Sequence, residues 1–112
     1  MNQRKVKDFI HKGRRCIIIE MNVEVSGKYC NGFVELKKDE IKDSYDDYDI
    51  TSDEMIYQGD LSNTGFGDGK TYIGFDSSHF WNNIHPESKK SEYVEKTCKK
   101  IVDELNNLKV KK

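Results

Sequence analysis

Apolar and polar positions change rhythm three times along this chain. Val6 to Ile10 suits either a turn of helix or an edge strand, and the segment closes at Gly13. From Arg14 the pattern is extended: Cys16-Ile17-Ile18-Ile19-Glu20-Met21 is β-branched and almost uninterrupted, as in a central strand covered on both faces. Val25-Ser26-Gly27-Lys28 supplies a turn. Residues then alternate, with Cys30, Gly32, Val34 and Leu36 on one side and Tyr29, Asn31, Phe33 and Glu35 on the other, so the two segments read as a hairpin. Residues 37–54 are dense in acids, and Tyr45, Tyr48 and Ile50 are placed to anchor this long excursion to the sheet. Residues 55–61 and 71–76 predict a third and a fourth strand, joined by a loop in which Gly65, Gly67 and Gly69 permit positive φ.

Past Pro86 the period becomes helical. Ser88 or Ser91 caps a helix whose Val94, Cys98, Ile101, Leu105 and Leu108 recur at spacings of 4, 3, 4 and 3, which places all five on one stripe. That stripe covers little more than two heptads, so it packs on the sheet instead of forming a coiled coil. The chain therefore predicts one α+β domain over residues 1–112. Its architecture is a mainly antiparallel sheet of four to five strands with a C-terminal amphipathic helix packed on one face.

Composition narrows the picture. Apolar residues make up 35% of the 112 and charged residues another 35%, a thin core that favours a homodimer or higher homo-oligomer, or a sheet with one wet face. The formal net charge of −1 conceals segregation: six basic residues and one acid in the first fifteen positions, nine acids and one base in residues 39–60. A neutral total argues against unspecific binding to duplex nucleic acid, which rests on phosphate neutralisation. Three cysteines without a CxxC pair suit buried thiols in a reducing interior. No apolar run approaches a membrane span, and the start lacks the apolar core of a signal peptide, so the expected location is the cytoplasm.

Chemistry concentrates in Tyr72-Ile73-Gly74-Phe75-Asp76-Ser77-Ser78-His79-Phe80-Trp81-Asn82-Asn83, where a strand delivers an acid, a histidine, two aromatics and two amides onto one loop. Other motifs fail on spacing. Gly69-Lys70-Thr71 ends like a P-loop, but Thr64 stands where the first glycine belongs and an extended segment follows. The acids of residues 43–49 lack the glycine and terminal Glu of an EF-hand. Asp76 and His79, with His85 or His11, form an incomplete metal or acid–base set, and Asp76 serves equally as a loop cap. No cofactor is implied.

Several motifs recur in order: Tyr29-Cys30-Asn31-Gly32-Phe33-Val34, Asp46-Asp47-Tyr48-Asp49-Ile50, Gln58-Gly59-Asp60-Leu61-Ser62, Gly74-Phe75-Asp76-Ser77-Ser78-His79, and the helix opening at Glu92-Tyr93-Val94. In these the chain resembles a group of small, mostly uncharacterised bacteriophage and prophage proteins. That group places His where this chain has Gln58 and Asp where it has Asn82. Two titratable groups are thus amides, which suit recognition better than catalysis. The resemblance implies a phage accessory or counter-defence protein acting in the host cytoplasm.

Two functional readings follow. The first is a protein without catalysis that sequesters a small nucleotide-like ligand. Gln58, Gly59 and Asp60 would bound its pocket with Asp76, Ser77, Ser78 and His79; Phe80 or Trp81 would stack on a ring, Asn82 and Asn83 would read its edge, and Arg14, Arg15 or Lys28 would meet a phosphate. The alternative is an inhibitor of a host defence enzyme, in which acidic residues 39–60 imitate phosphate and occupy a basic groove. A metal-dependent hydrolase using Asp76, His79 and His85 is a third reading.

Overall fold

In a computed structural model, which describes residues 2–24, 27–77 and 85–110, the ambiguous first segment is a strand. β1 (Asn2–His11) turns through Lys12 and Gly13 into β2 (Arg14–Val23). Both turn residues have positive φ, 50° and 85°, the backbone a two-residue hairpin of this hand requires. β2 pairs with β3 (Gly27–Leu36), β3 with β5 (Thr71–Phe75), and β5 with the short β4 (Tyr57–Gly59). The sheet order is β1-β2-β3-β5-β4 with every pairing antiparallel, and α1 (Ser91–Val110) packs across it. The expected α+β architecture is the one observed.

The helix face carries the larger core. Cys16, Ile18, Val34, Leu36, Ile73 and Phe75 of the sheet meet Val94, Cys98, Ile101 and Leu105 of α1, with Tyr48 and Met55 closing one side. Val102 joins them, and each such side chain contributes roughly 1.5–3 kcal/mol on burial. The opposite face is not wet at its centre. Ile17, Ile19, Met21, Phe33, Leu61 and Tyr72 form a second cluster there, flanked by Tyr29, Tyr57 and Phe66. This explains the unbroken apolar run of β2, whose Cys16, Ile17 and Ile18 have no solvent contact.

Two glycines make this double-sided packing possible. A Cβ on Gly32 would fall 2.5 Å from the Phe75 ring and 2.8 Å from Cys98 Sγ; one on Gly74 would fall 2.6 Å from the Phe33 ring. Each aromatic thus lies over a cross-strand glycine, Phe75 on the helix side and Phe33 on the other.

The predicted third strand shrinks to Tyr57–Gly59. Leu61 is fully buried in the second cluster with its backbone left-handed at φ 62°, which ends the extended path and opens a tight turn at Ser62–Thr64. At the other edge, β1 exposes Arg4 and Lys5 and is bulged between Lys5 and Lys7, features that discourage strand addition. Among the described residues no helix is long and apolar enough to cross a membrane.

Candidate functional site

Ser78, His79, Phe80, Trp81, Asn82 and Asn83 lie outside the described residues, so the site is built from their neighbours. Ser77 follows β5 and is buried: its hydroxyl accepts from Cys30 N at 3.1 Å and donates to Cys30 O at 2.8 Å, tying the strand end to β3. Asp76 beside it is half-buried and engaged by neighbouring groups. In β4, Gln58 donates from Nε2 to Lys42 O at 2.8 Å, while its Oε1 meets the Tyr48 hydroxyl. Gly59 lies under Tyr57, whose Oη is 2.5 Å from where a Cβ would stand. Asp60 is exposed, and its carboxylate accepts from Ser62 N at 3.0 Å, which holds its pKa below the usual range.

Arg14 and Arg15, expected at a phosphate, are structural. Arg14 is 1% exposed. Its Nη1 and Nη2 each meet a Glu40 oxygen at 2.6 Å, Nη1 also donates to Glu35 O at 3.0 Å, and Nε donates to Asn106 Oδ1 at 3.0 Å. Arg15 forms a fork on Asp8 at 2.9 and 2.7 Å and approaches Asp68 at 2.9 Å and the Tyr72 hydroxyl at 3.3 Å. Burial pushes that hydroxyl up to about 12, while the Arg15 guanidinium holds the Asp8 carboxyl well below the carboxylate range. Both guanidiniums are thus already engaged by carboxylates within the fold. Gln58 and Ser77 likewise hold the fold together at the positions assigned to a ligand.

What the sequence reading missed lies on the sheet face opposite α1. A recess of about 210 Å³ opens there, walled by Asn31 and Phe33 of β3, Tyr57 of β4, and Leu61, Asn63 and Thr64 of the turn that follows; Ile56 and Phe75 complete it. The Phe33 and Tyr57 rings meet edge to face, 5.6 Å between centroids and 85° between planes. Tyr57 is fixed in turn by Leu61 N, which donates to its hydroxyl at 3.1 Å. The Asn31 side-chain oxygen is buried and has no hydrogen-bond partner among the described residues. An orphaned amide end costs roughly 1–3 kcal/mol, and a left-handed Leu61 adds a similar strain. Both costs fall on the wall of one recess.

The thiols of Cys16, Cys30 and Cys98 are free and buried on the helix side; burial pushes Cys16 up to about 12, Cys30 to about 11, and Cys98 well above its ordinary value. Cys16 pairs with Val34, and Cys30 with Glu20, so the two thiols share a face but are not cross-strand partners. His85 Nδ1 lies 3.7 Å from Glu87, and His11 Nε2 lies 3.7 Å from Asp103. Among the described residues no three His, Cys, Asp or Glu side chains converge to hold a metal ion. The chain matches no protein-family model, no curated protein and no solved structure.

Proposed function

We propose that this chain is a binding protein without catalysis, which captures a small molecule through one flat polar ring seated in the recess beside Asn31. The observation that carries this reading is the buried Asn31 oxygen, unpartnered among the described residues, on the wall of a recess that the Phe33 and Tyr57 rings also line. A recess of about 210 Å³ holds a single ring, since a cavity of roughly 150 Å³ accepts benzene. An asparagine amide carries an acceptor and a donor on one edge, the pattern with which it reads a nucleobase; the Asn31 oxygen, buried from solvent, reaches a ligand by rotation of the side chain. A nucleotide-like ligand fits this chemistry at its base; its phosphate has to be met elsewhere than at Arg14 or Arg15. The resemblance to small phage proteins supports an accessory role in a host cell, and the three free buried thiols support a reducing compartment.

Calorimetric titration with nucleosides, cyclic dinucleotides and ADP-ribose derivatives tests this. At least one is expected to bind, and Asn31→Leu is expected to abolish binding while leaving the protein no less stable, because it removes an unsatisfied buried group. Silence from the whole panel, or an Asn31→Leu protein that binds as before, contradicts it.

A second reading has its own support. The basic residues of the N-terminal segment are neutralised within the molecule: Arg4 by Glu20, Lys5 by Asp8, Lys7 by Glu95 and Lys12 by Asp103. Asp43, Asp46, Asp47 and Asp49 instead stand exposed on an ordered ledge. Such a surface suits docking onto a basic groove of a protein partner, the action expected of an inhibitor of a host enzyme.

A further inference from the structure

We propose that the groove between residues 39–49 and the last turns of α1 is where the acidic ledge grips its partner, by taking in one arginine or lysine side chain. The proposal rests on the second reading above and names the point of contact. The groove has a volume of about 320 Å³. Its apolar lining is Ile41, Tyr48, Leu105 and Leu108, and its acids include Asp47 and Asp49. Tyr48 and Leu105 are buried and form the floor; the two aspartates are exposed and form the rim.

Long basic side chains need this combination. Their methylene stems lie on apolar surface while the charged head stays at a wet, anionic edge. Ile41 is 44% exposed, a large aliphatic surface that nothing among the described residues covers, beside the Tyr48 ring. Lys42 also lines the groove, its ammonium 5.8 Å from the Tyr48 centroid, so an incoming basic side chain displaces it from a ring that already holds a cation. Leu105 and Leu108 belong to the C-terminal turns of α1, where the helix carbonyls add partial negative charge. A bare metal ion is the poorer occupant, because among the described residues no three acids converge on a point. Glu40 also borders the groove, but its carboxylate is fixed on Arg14, so the attraction comes from the rim.

The ledge is rigid enough to present this shape. The Tyr48 hydroxyl accepts from Lys42 N at 2.9 Å and reaches Glu40 O at 3.1 Å, while Glu104 of α1 accepts from both backbone N–H groups and both hydroxyls of Thr51 and Ser52. A partner side chain therefore enters a formed groove and bears little ordering cost.

The test is fluorescence polarisation with a labelled peptide of alternating glycine and arginine, against the same peptide with citrulline, a neutral isostere. The arginine peptide is expected to bind, and the citrulline peptide to bind about tenfold more weakly. Asp47→Asn with Asp49→Asn is expected to cost about tenfold, and Ile41→Ser, which leaves charge unchanged, about threefold. Asp43→Asn with Asp46→Asn removes the same charge outside the groove and is expected to change affinity by less than about twofold. Equal losses from the two double variants, no effect of Ile41→Ser, or no peptide binding at low salt overturns the proposal. Capture of a basic host protein that survives Asp47→Asn with Asp49→Asn overturns the groove and spares the second reading; absence of any basic partner overturns both.

Discussion

Arg14 and Asn31 mark the two extremes of polar burial in this molecule. Arg14 is almost wholly buried and makes four hydrogen bonds, joining the start of β2 to the end of β3, to Glu40 in the acidic excursion and to Asn106 in α1. Its fork on Glu40 is the bidentate kind, and removing one partner strands the other charge. Arg14→Met is therefore expected to destabilise the fold by about 3–5 kcal/mol in urea unfolding. Adding Glu40→Leu is expected to restore a large part of that loss. A single variant costing under about 1 kcal/mol contradicts this assignment. Asn31 is the opposite case, a polar side chain whose buried oxygen meets no hydrogen-bond partner among the described residues and so costs stability.

At the scale of elements, the acidic excursion is held by partners far away in sequence. Glu104 bonds four groups of Thr51 and Ser52, and although burial works against its charged form, those bonds outweigh it and lower its pKa. Glu104→Ala is expected to accelerate hydrogen exchange at residues 51 and 52 and admit proteases there, with the exchange of β2 and β3 unchanged; unaltered protection at 51 and 52 contradicts this. Sequence periodicity reports which face a residue occupies: alternation in β3 and the two-sided run of β2 appear as expected, and so does the stripe of α1 as far as Leu105, whereas Leu108 lies outside the core and Val102 joins it. It carries no information on which polar groups meet across the fold. Hence Arg14, Arg15 and Gln58 looked available and are engaged. Tyr45, expected to anchor the excursion, is 42% exposed, while Tyr48 takes that role. The recess draws on β3, β4 and the turn at Ser62–Thr64, too dispersed to stand out beside the compact run of residues 72–83. One sign was legible: Asn31 stands between Tyr29 and Phe33 on the face of β3 opposite Cys30, Gly32 and Val34.

Across the whole molecule, the basic N-terminal segment is paired in space, mostly with acids outside residues 39–60. Lys7 meets Glu95, Lys12 meets Asp103, and Arg15 meets Asp8 and Asp68, so the N-terminal hairpin is stitched to the helix and to the loop before β5. Bonds from Arg15, Lys7 and Lys12 hold Asp8, Glu95 and Asp103 below their ordinary pKa. Folded values below unfolded ones mean that the unfolded chain binds protons first, so this stability is fully present above about pH 4.5 and is lost as pH falls through about 4 and onward through the depressed folded values. The urea midpoint is expected to stay level from pH 7 to 5 and drop steadily below 4; a midpoint unchanged at pH 3 contradicts it. Asp43, Asp46, Asp47 and Asp49 stand exposed on the ledge, and a recess of about 210 Å³ lies beside Asn31. Nuclear magnetic resonance of the Asn31 side-chain amide during titration with adenosine, guanosine, cyclic dinucleotides and ADP-ribose tests the central claim most directly. A saturable shift of that amide together with the Phe33 and Tyr57 rings is the predicted result, and an amide left unmoved by every one of these ligands would contradict it.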